Sequence, residues 1–389
     1  SCFYHPLQPI FLLTKVFGLF PFKLSYNASV MLNSNRKELF LPTVWFFVAL
    51  TAGCYSLIRF FSYEVEDVIL KGVCTAYYCF LGLTALSSIT AMWFNRKKVK
   101  DIFRNLFAVD QLLDKSTTLI LYKQTRSSSV KRMSFVFLFI TIITACTIYY
   151  YFGNFLDVML AVCESTLITI NSMFIFQYVT IVQGIQTRYY QLWKNLKTLH
   201  KESKGAVTSQ MQGAYIYNPY IADTVKISIL RQQHFHLSTV VSLQNFHLST
   251  VVSLLNQVYG FTMLLEIMTA LSNCVGSLYD GIETLNRGES PINSASIIVS
   301  GALLFVPVIW VVMSCHRAVL QNEEHITAIQ ELLISRSTNL STQNELKELL
   351  LQIKLMEPQF SAGGFFTLNL QFLCTSFSSI FTYIIIMAQ

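Results

Sequence analysis

Seven apolar stretches run along the chain, at Thr43–Phe61, Val73–Phe94, Met133–Phe152, Val158–Ile185, Val251–Leu278, Ala295–Cys315 and Phe365–Gln389. A helix needs about 20 residues to cross the hydrocarbon of a bilayer. A helix of a soluble core breaks its apolar run with a wet face, and these stretches do not. The pattern therefore predicts an all-α membrane protein with seven transmembrane helices. Runs longer than a crossing are accommodated by tilt or by projection from the bilayer. Between spans the period becomes that of amphipathic helices at Arg188–Lys204, Ala318–Leu333 and Thr342–Met356. These segments are expected to extend the spans into a cytoplasmic anchor domain or to lie at the interface. Pro9–Phe22 is short, contains Lys15 and lacks a small-residue cleavage site, so it reads as an interfacial or cytoplasmic helix. The polar stretch Ser203–Thr224 reads as a loop. FHLSTVVSL occurs at Phe235–Leu243 and again at Phe246–Leu254. The offset of eleven residues is about three helical turns, so a duplication of that length keeps a helix's faces in register.

Charge orients the spans. Of the 28 basic residues, all but Arg59, Lys71 and Arg287 fall in the N-terminal stretch and the second, fourth and sixth loops. The opposite side opens on an acidic loop with Glu64, Glu66 and Asp67. Cytoplasmic loops collect Lys and Arg, so the N-terminus is expected in the cytoplasm and the C-terminus outside. The sequons at Asn27-Ala28-Ser29 and Asn339-Leu340-Ser341 then face inward and should carry no glycan. Composition agrees: 53% of residues are hydrophobic and 13% charged, against about 25% charged in soluble domains. The net charge of +7 belongs to the flanks of spans. It does not form a basic soluble face with stacking aromatics, which argues against nucleic acid as a partner. Cys54, Cys74, Cys79, Cys146, Cys163, Cys274, Cys315 and Cys374 lie in or beside apolar segments and, with Cys2, make an odd total of nine. They read as small buried residues, not as a disulfide framework. His316 and His325 stand alone, and no spacing suggests a metal site.

No catalytic constellation is present: no Gly-rich phosphate loop, no GxSxG, no HExxH, no paired intramembrane Asp or Ser/His. An enzyme is not expected, nor is a cofactor. Ionisable residues inside spans mark functional sites by default, because burying them is costly. Glu164 in the fourth span and Glu266 in the fifth qualify. Thr262 and Thr269, at i−4 and i+3, share the Glu266 face. Ser165, Asn171 and Gln177 continue the inward face of the fourth span, and Tyr149, Tyr150 and Trp310 are candidate aromatic walls. Such a set suits a small-molecule pocket; interhelical hydrogen bonding is the competing role. The seventh span carries Thr375, Ser376, Ser378, Ser379, Thr382 and Gln389, too many polar groups for a lipid-facing helix.

The last span, Thr382-Tyr383-Ile384-Ile385-Ile386-Met387-Ala388-Gln389, resembles the signature of insect gustatory receptors: Thr-Tyr, five hydrophobic residues, then Gln. Phe360–Asn369 resembles that family's lead-in to the seventh span, and Leu255-Asn256 with Tyr259-Gly260, and Val16–Pro21, are similar to its recurrent patterns. The resemblance implies a tastant-gated, non-selective cation channel in the plasma membrane of sensory neurons, working as a homotetramer around one central pore or with related receptor subunits. The tastant, a sugar or a bitter compound, would bind among the outer helices. The membrane contributes lipids as neighbours. By match to the motif, Thr382, Tyr383, Ile386 and Gln389 become pore and gate candidates, with Ile386 suited to a dewetting ring. Glu266, Thr269, Thr262, Trp310, Glu164, Asn171, Gln177 and Tyr149 are the ligand candidates. The expected organisation is one seven-helix subunit: a cytoplasmic segment at 1–42, spans one to four at 43–185, cytoplasmic loop and helix at 186–245, spans five and six at 246–315, cytoplasmic helices at 316–361 and a pore-lining span at 362–389. A metabotropic seven-helix receptor would need the opposite orientation, and a transporter would often show two repeated halves.

Overall fold

The computed structural model describes residues 11–20, 22, 39–62, 68–113, scattered positions within 127–148, 155–213, 219–288, 290–334 and 340–387. The helices are α1 (Phe40–Phe61), α2 (Val68–Phe94), α3 (Arg96–Leu112), α4 (Phe155–Gly213), α5 (Pro219–Asn286), α6 (Pro291–Ile334), α7 (Leu340–Leu355) and α8 (Leu370–Met387). A small antiparallel hairpin, β1 (Ser361–Ala362) with β2 (Phe366–Thr367), stands between α7 and α8. Among the described residues five helices are long and apolar enough to cross a membrane: α1, α2, and the parts Phe155–Lys194, Thr239–Asn286 and Pro291–Glu331 of the next three. The described positions of the expected third span are helical. At 18 residues, α8 is about 27 Å long, close to the thickness of the hydrocarbon core.

Length carries the fold beyond the bilayer. With 59, 68 and 44 residues, α4, α5 and α6 are each at least twice as long as a crossing requires. Portions of them beyond the apolar spans, with α3, α7 and Phe11–Phe20, form a second packed body. Its stripes are those of soluble helices. Val99, Ile102, Phe103, Leu106 and Val109 bury one face of α3 at i, i+3, i+4 spacing. Phe11 stacks on Phe20 at 4.5 Å and meets Phe103 edge-on at 5.1 Å, which seats the N-terminal segment on α3. A buried ion pair ties α3 to α4: Arg188 Nε and Nη2 donate to Asp110 Oδ1 and Oδ2 at 3.0 and 2.7 Å. In the spans, small residues bring helices together. Gly53 of α1 and Gly82 of α2 face each other so closely that a Cβ on either would lie 3.5 Å from the other's Cα.

Two expected boundaries move. Ser203–Thr224 reads as a loop in sequence, but α4 continues to Gly213 and α5 begins at Pro219. Propagating an existing helix costs far less than nucleating one, and Ala206, Gln210, Met211 and Gln212 are compatible with it. The seventh span, expected from Phe365, starts as helix only at Leu370. Gly363 and Gly364 take φ of 61° and 80°, a turn that L side chains resist. Asn369 Oδ1 then accepts from Phe372 N at 2.9 Å, an N-cap that starts α8. Both repeat copies run within α5, and Val241 and Val252, in equivalent places, are both buried. That is the outcome expected of an eleven-residue offset.

Candidate functional site

A cleft among four helices encloses about 320 Å³ of atom-free space, part of it open to the surroundings. Its walls are Tyr77 and Leu81 of α2, Ile168, Asn171 and Ser172 of α4, Glu266, Thr269 and Ala270 of α5, and Leu304 and Pro307 of α6. That figure counts interatomic gaps and space open to the surroundings, so a ligand would enter only as the helices part around it. Pro307 cannot donate to the helical ladder of α6. All four helices are membrane-spanning, so the cleft lies where polar groups are costly and every one needs an account.

The polar walls are committed unevenly. Tyr77 donates its hydroxyl to Glu164 Oε1 at 2.7 Å, which places the second carboxylate directly behind Tyr77. Asn171 Nδ2 donates to the Leu81 carbonyl at 3.5 Å, while its Oδ1 is buried without a partner. Thr269 Oγ1 lies 2.8 Å from the Leu265 carbonyl and 3.1 Å from Thr84 Oγ1, which is itself 2.6 Å from the Phe80 carbonyl. The two threonine protons are thus shared among three acceptors. Glu266 Oε2 and Glu164 Oε2 are buried and unpartnered. What the walls leave over is mainly acceptor capacity.

Of the residues singled out in the sequence, Glu266, Thr269 and Asn171 meet in this cleft, and Glu164 adjoins it through Tyr77. Thr262 is turned to Ser87 of α2 at 2.8 Å, an interhelical bond outside the lining. Gln177 is fully buried further along α4, and Trp310 packs near Phe176 with ring centroids 6.2 Å apart. Tyr149 lies outside the described residues, as does Gln389. The lining adds Tyr77, Leu81, Ile168, Ser172, Leu304 and Pro307. Tyr77 had a signal in the sequence: a phenol in an apolar run, in a chain where a buried glutamate needs a donor.

From this cleft α5 leads to the seventh span. Ten residues before Glu266, about 15 Å along the helix, Asn256 grips the hairpin. Its Nδ2 donates to the Gln359 carbonyl at 2.6 Å, and its Oδ1 accepts from Ser361 N at 3.0 Å. Gly260, one turn on, lets the hairpin touch the α5 backbone: a Cβ there would lie 2.8 Å from Gly363 N. Asn256→Ala leaves the Ser361 N–H and the Gln359 carbonyl without these partners. The expected loss is about 1–2 kcal/mol, read as a lower thermal midpoint in detergent. Asn256→Asp, which keeps only the acceptor, should fall between the two.

One stripe seats α8: Leu373, Ser376 and Ile380 are buried, and Phe377 meets Phe305 at 5.2 Å. At 100° per residue, Gln371, Thr375, Ser378, Ser379, Thr382 and Ile386 fall within about 100° of arc on the other side. Thr382, Tyr383 and Ile386 are all exposed in the single subunit. The hydroxyls of Thr375, Ser379 and Thr382 bond to carbonyls one turn back, at 2.9–3.1 Å, so they keep acceptor capacity outward.

Residues 7–389 match the family model of the seven-transmembrane chemosensory receptors. The fold is similar to the insect olfactory receptor OR5 from Machilis hrabei, with a TM-score of 0.68, 13% identity, and coverage of 98% of this chain and 97% of that one. The same receptor in complex with eugenol gives a TM-score of 0.69 at 12% identity, with the same coverage. No curated protein matches the sequence.

Proposed function

The chain belongs to the seven-transmembrane chemosensory receptor family, and on that premise we propose that it is a gustatory receptor, a tastant-gated non-selective cation channel of sensory neurons. Four copies surround one pore, each contributing α8, with the N-terminus in the cytoplasm. The observation that carries this reading is the two-sided character of α8. Its apolar stripe is seated on its own subunit, and its polar stripe is exposed among the described residues of that subunit. Lipid is a poor neighbour for such a face, whereas copies arranged around water suit it. The last-span motif, Thr382-Tyr383 followed by five hydrophobic residues and Gln389, supports a gustatory assignment, and the similar fold solved with eugenol supports a small-molecule ligand.

Gating follows as a population shift. A ligand in the four-helix cleft binds best to one arrangement of α5 against α2, α4 and α6. The Asn256 and Gly260 contacts pass that arrangement to the hairpin, and the hairpin sets where α8 begins. Opening draws the Ile386 side chains apart and rewets the pore. Cells expressing only this chain should show cation current when a tastant panel of sugars and bitter compounds is applied. A surface-expressed chain that binds a tastant without current would refute the channel.

A further inference from the structure

We propose that the four-helix cleft selects small organic cations, primary or secondary amines, over neutral molecules of the same shape. The inference rests on the cleft being the ligand site and names the class of ligand it takes. Hydrogen-bond accounting points there. The protons of Tyr77 and Thr269 are engaged with Glu164 and with the Leu265 carbonyl or Thr84, and one of the two on Asn171 Nδ2 with the Leu81 carbonyl. Glu266 Oε2 and Asn171 Oδ1 are buried with no donor facing them. Ser172 adds a hydroxyl that accepts as readily as it donates. Walls of this kind are completed by a ligand that brings donors. An ammonium brings two or three and no acceptor.

Charge points the same way. The lining contains no Lys, Arg or His, and among the described residues neither Glu266 nor Glu164 has a basic partner. A carboxylate in low dielectric gains far more from a cation than it would in water. Leu81, Ile168, Ala270, Leu304 and Pro307 supply apolar walls for the ligand's carbon skeleton. The cleft thus offers one acidic corner and an apolar remainder, which fits an amine head on a short hydrocarbon body. A polyol, with hydroxyls that both donate and accept along its whole length, would leave most of them against apolar walls without a partner.

The test compares matched pairs: phenethylamine with phenethyl alcohol, and cyclohexylmethylamine with cyclohexylmethanol. Purified full-length protein is read by thermal stabilisation, and cells expressing it by current. Each amine should half-saturate stabilisation at a concentration at least tenfold below its alcohol. Glu266→Gln should erase that difference by weakening the amine alone, and Glu266→Asp should retain part of it. Equal potency within pairs, or an alcohol or sugar that stabilises while the amines do not, overturns the proposal. So does a Glu266→Gln shift shared by amine and alcohol. The wild-type comparison stands even if a variant fails to fold. Neutral tastants driving current while amines neither bind nor gate would sink amine selectivity and leave the channel intact. Amine stabilisation without current would do the reverse.

Discussion

Replacing Arg188 with Ala is expected to destabilise the protein by about 3–5 kcal/mol and to empty the cell surface of it. The guanidinium is 1% exposed and the Asp110 carboxylate 2%, so truncation leaves a buried anion without its guanidinium. The loss includes a third bond, from Arg188 Nη1 to the Gly184 carbonyl at 2.7 Å, which braces α4 one turn back. Lysine would not substitute, because a point charge cannot reproduce the two parallel bonds to Oδ1 and Oδ2. The double change Arg188→Met with Asp110→Leu should recover most of the loss, since an apolar pair of similar volume removes both charges together. Thermal midpoints in detergent, with surface labelling in cells, check this series. A single Arg188→Ala within 1 kcal/mol of wild type would mean that the pair is solvated.

Gly260→Ala should produce the largest functional loss from the smallest change. The added methyl would meet Gly363 N at 2.8 Å, Gly363 Cα at 3.3 Å and the Ser361 carbonyl at 3.4 Å, all backbone atoms. No side chain can swing aside, so the hairpin must shift, at a cost of about 1–3 kcal/mol. The hairpin also sets the start of α8 through the Asn369 cap, so α8 moves with it. Ligand-evoked current is expected to fall at least tenfold, while ligand stabilisation of purified protein changes less than threefold, because Glu266 lies well over a turn away. Loss of both together would make Gly260 a folding position only.

Much of this fold is legible in the sequence because a bilayer is a severe solvent. Apolar runs announced the spans, and amphipathic stripes such as Ala318–Leu333 announced the extensions of the spans. The boundaries were harder. The helical state of Ser203–Gly213 belongs to a long helix already nucleated by α4, which no local window contains. The start of α8 depends on φ at two glycines and on an Asn side chain, features that outweigh the apolar run Phe365–Phe366. At the site, Glu266, Thr269 and Asn171 stood out because polar groups in spans are few. Trp310 stood out on chemistry alone, and its rotation about α6 takes it to Phe176 instead. The Asn256 grip joins residues more than 100 positions apart, so it needed three dimensions.

The central claim is that α8 lines the ion pathway, and cysteine accessibility tests it most directly. With the exposed Cys374 replaced by Ser, Thr382→Cys and Phe377→Cys are each treated with a charged methanethiosulfonate during ligand-evoked current. Modification at Thr382, on the polar face, should cut the current at least tenfold and proceed faster with ligand present. Phe377, packed on Phe305, should show neither effect. Thr382→Cys that is labelled to completion while the current persists would contradict a pore lined by this helix.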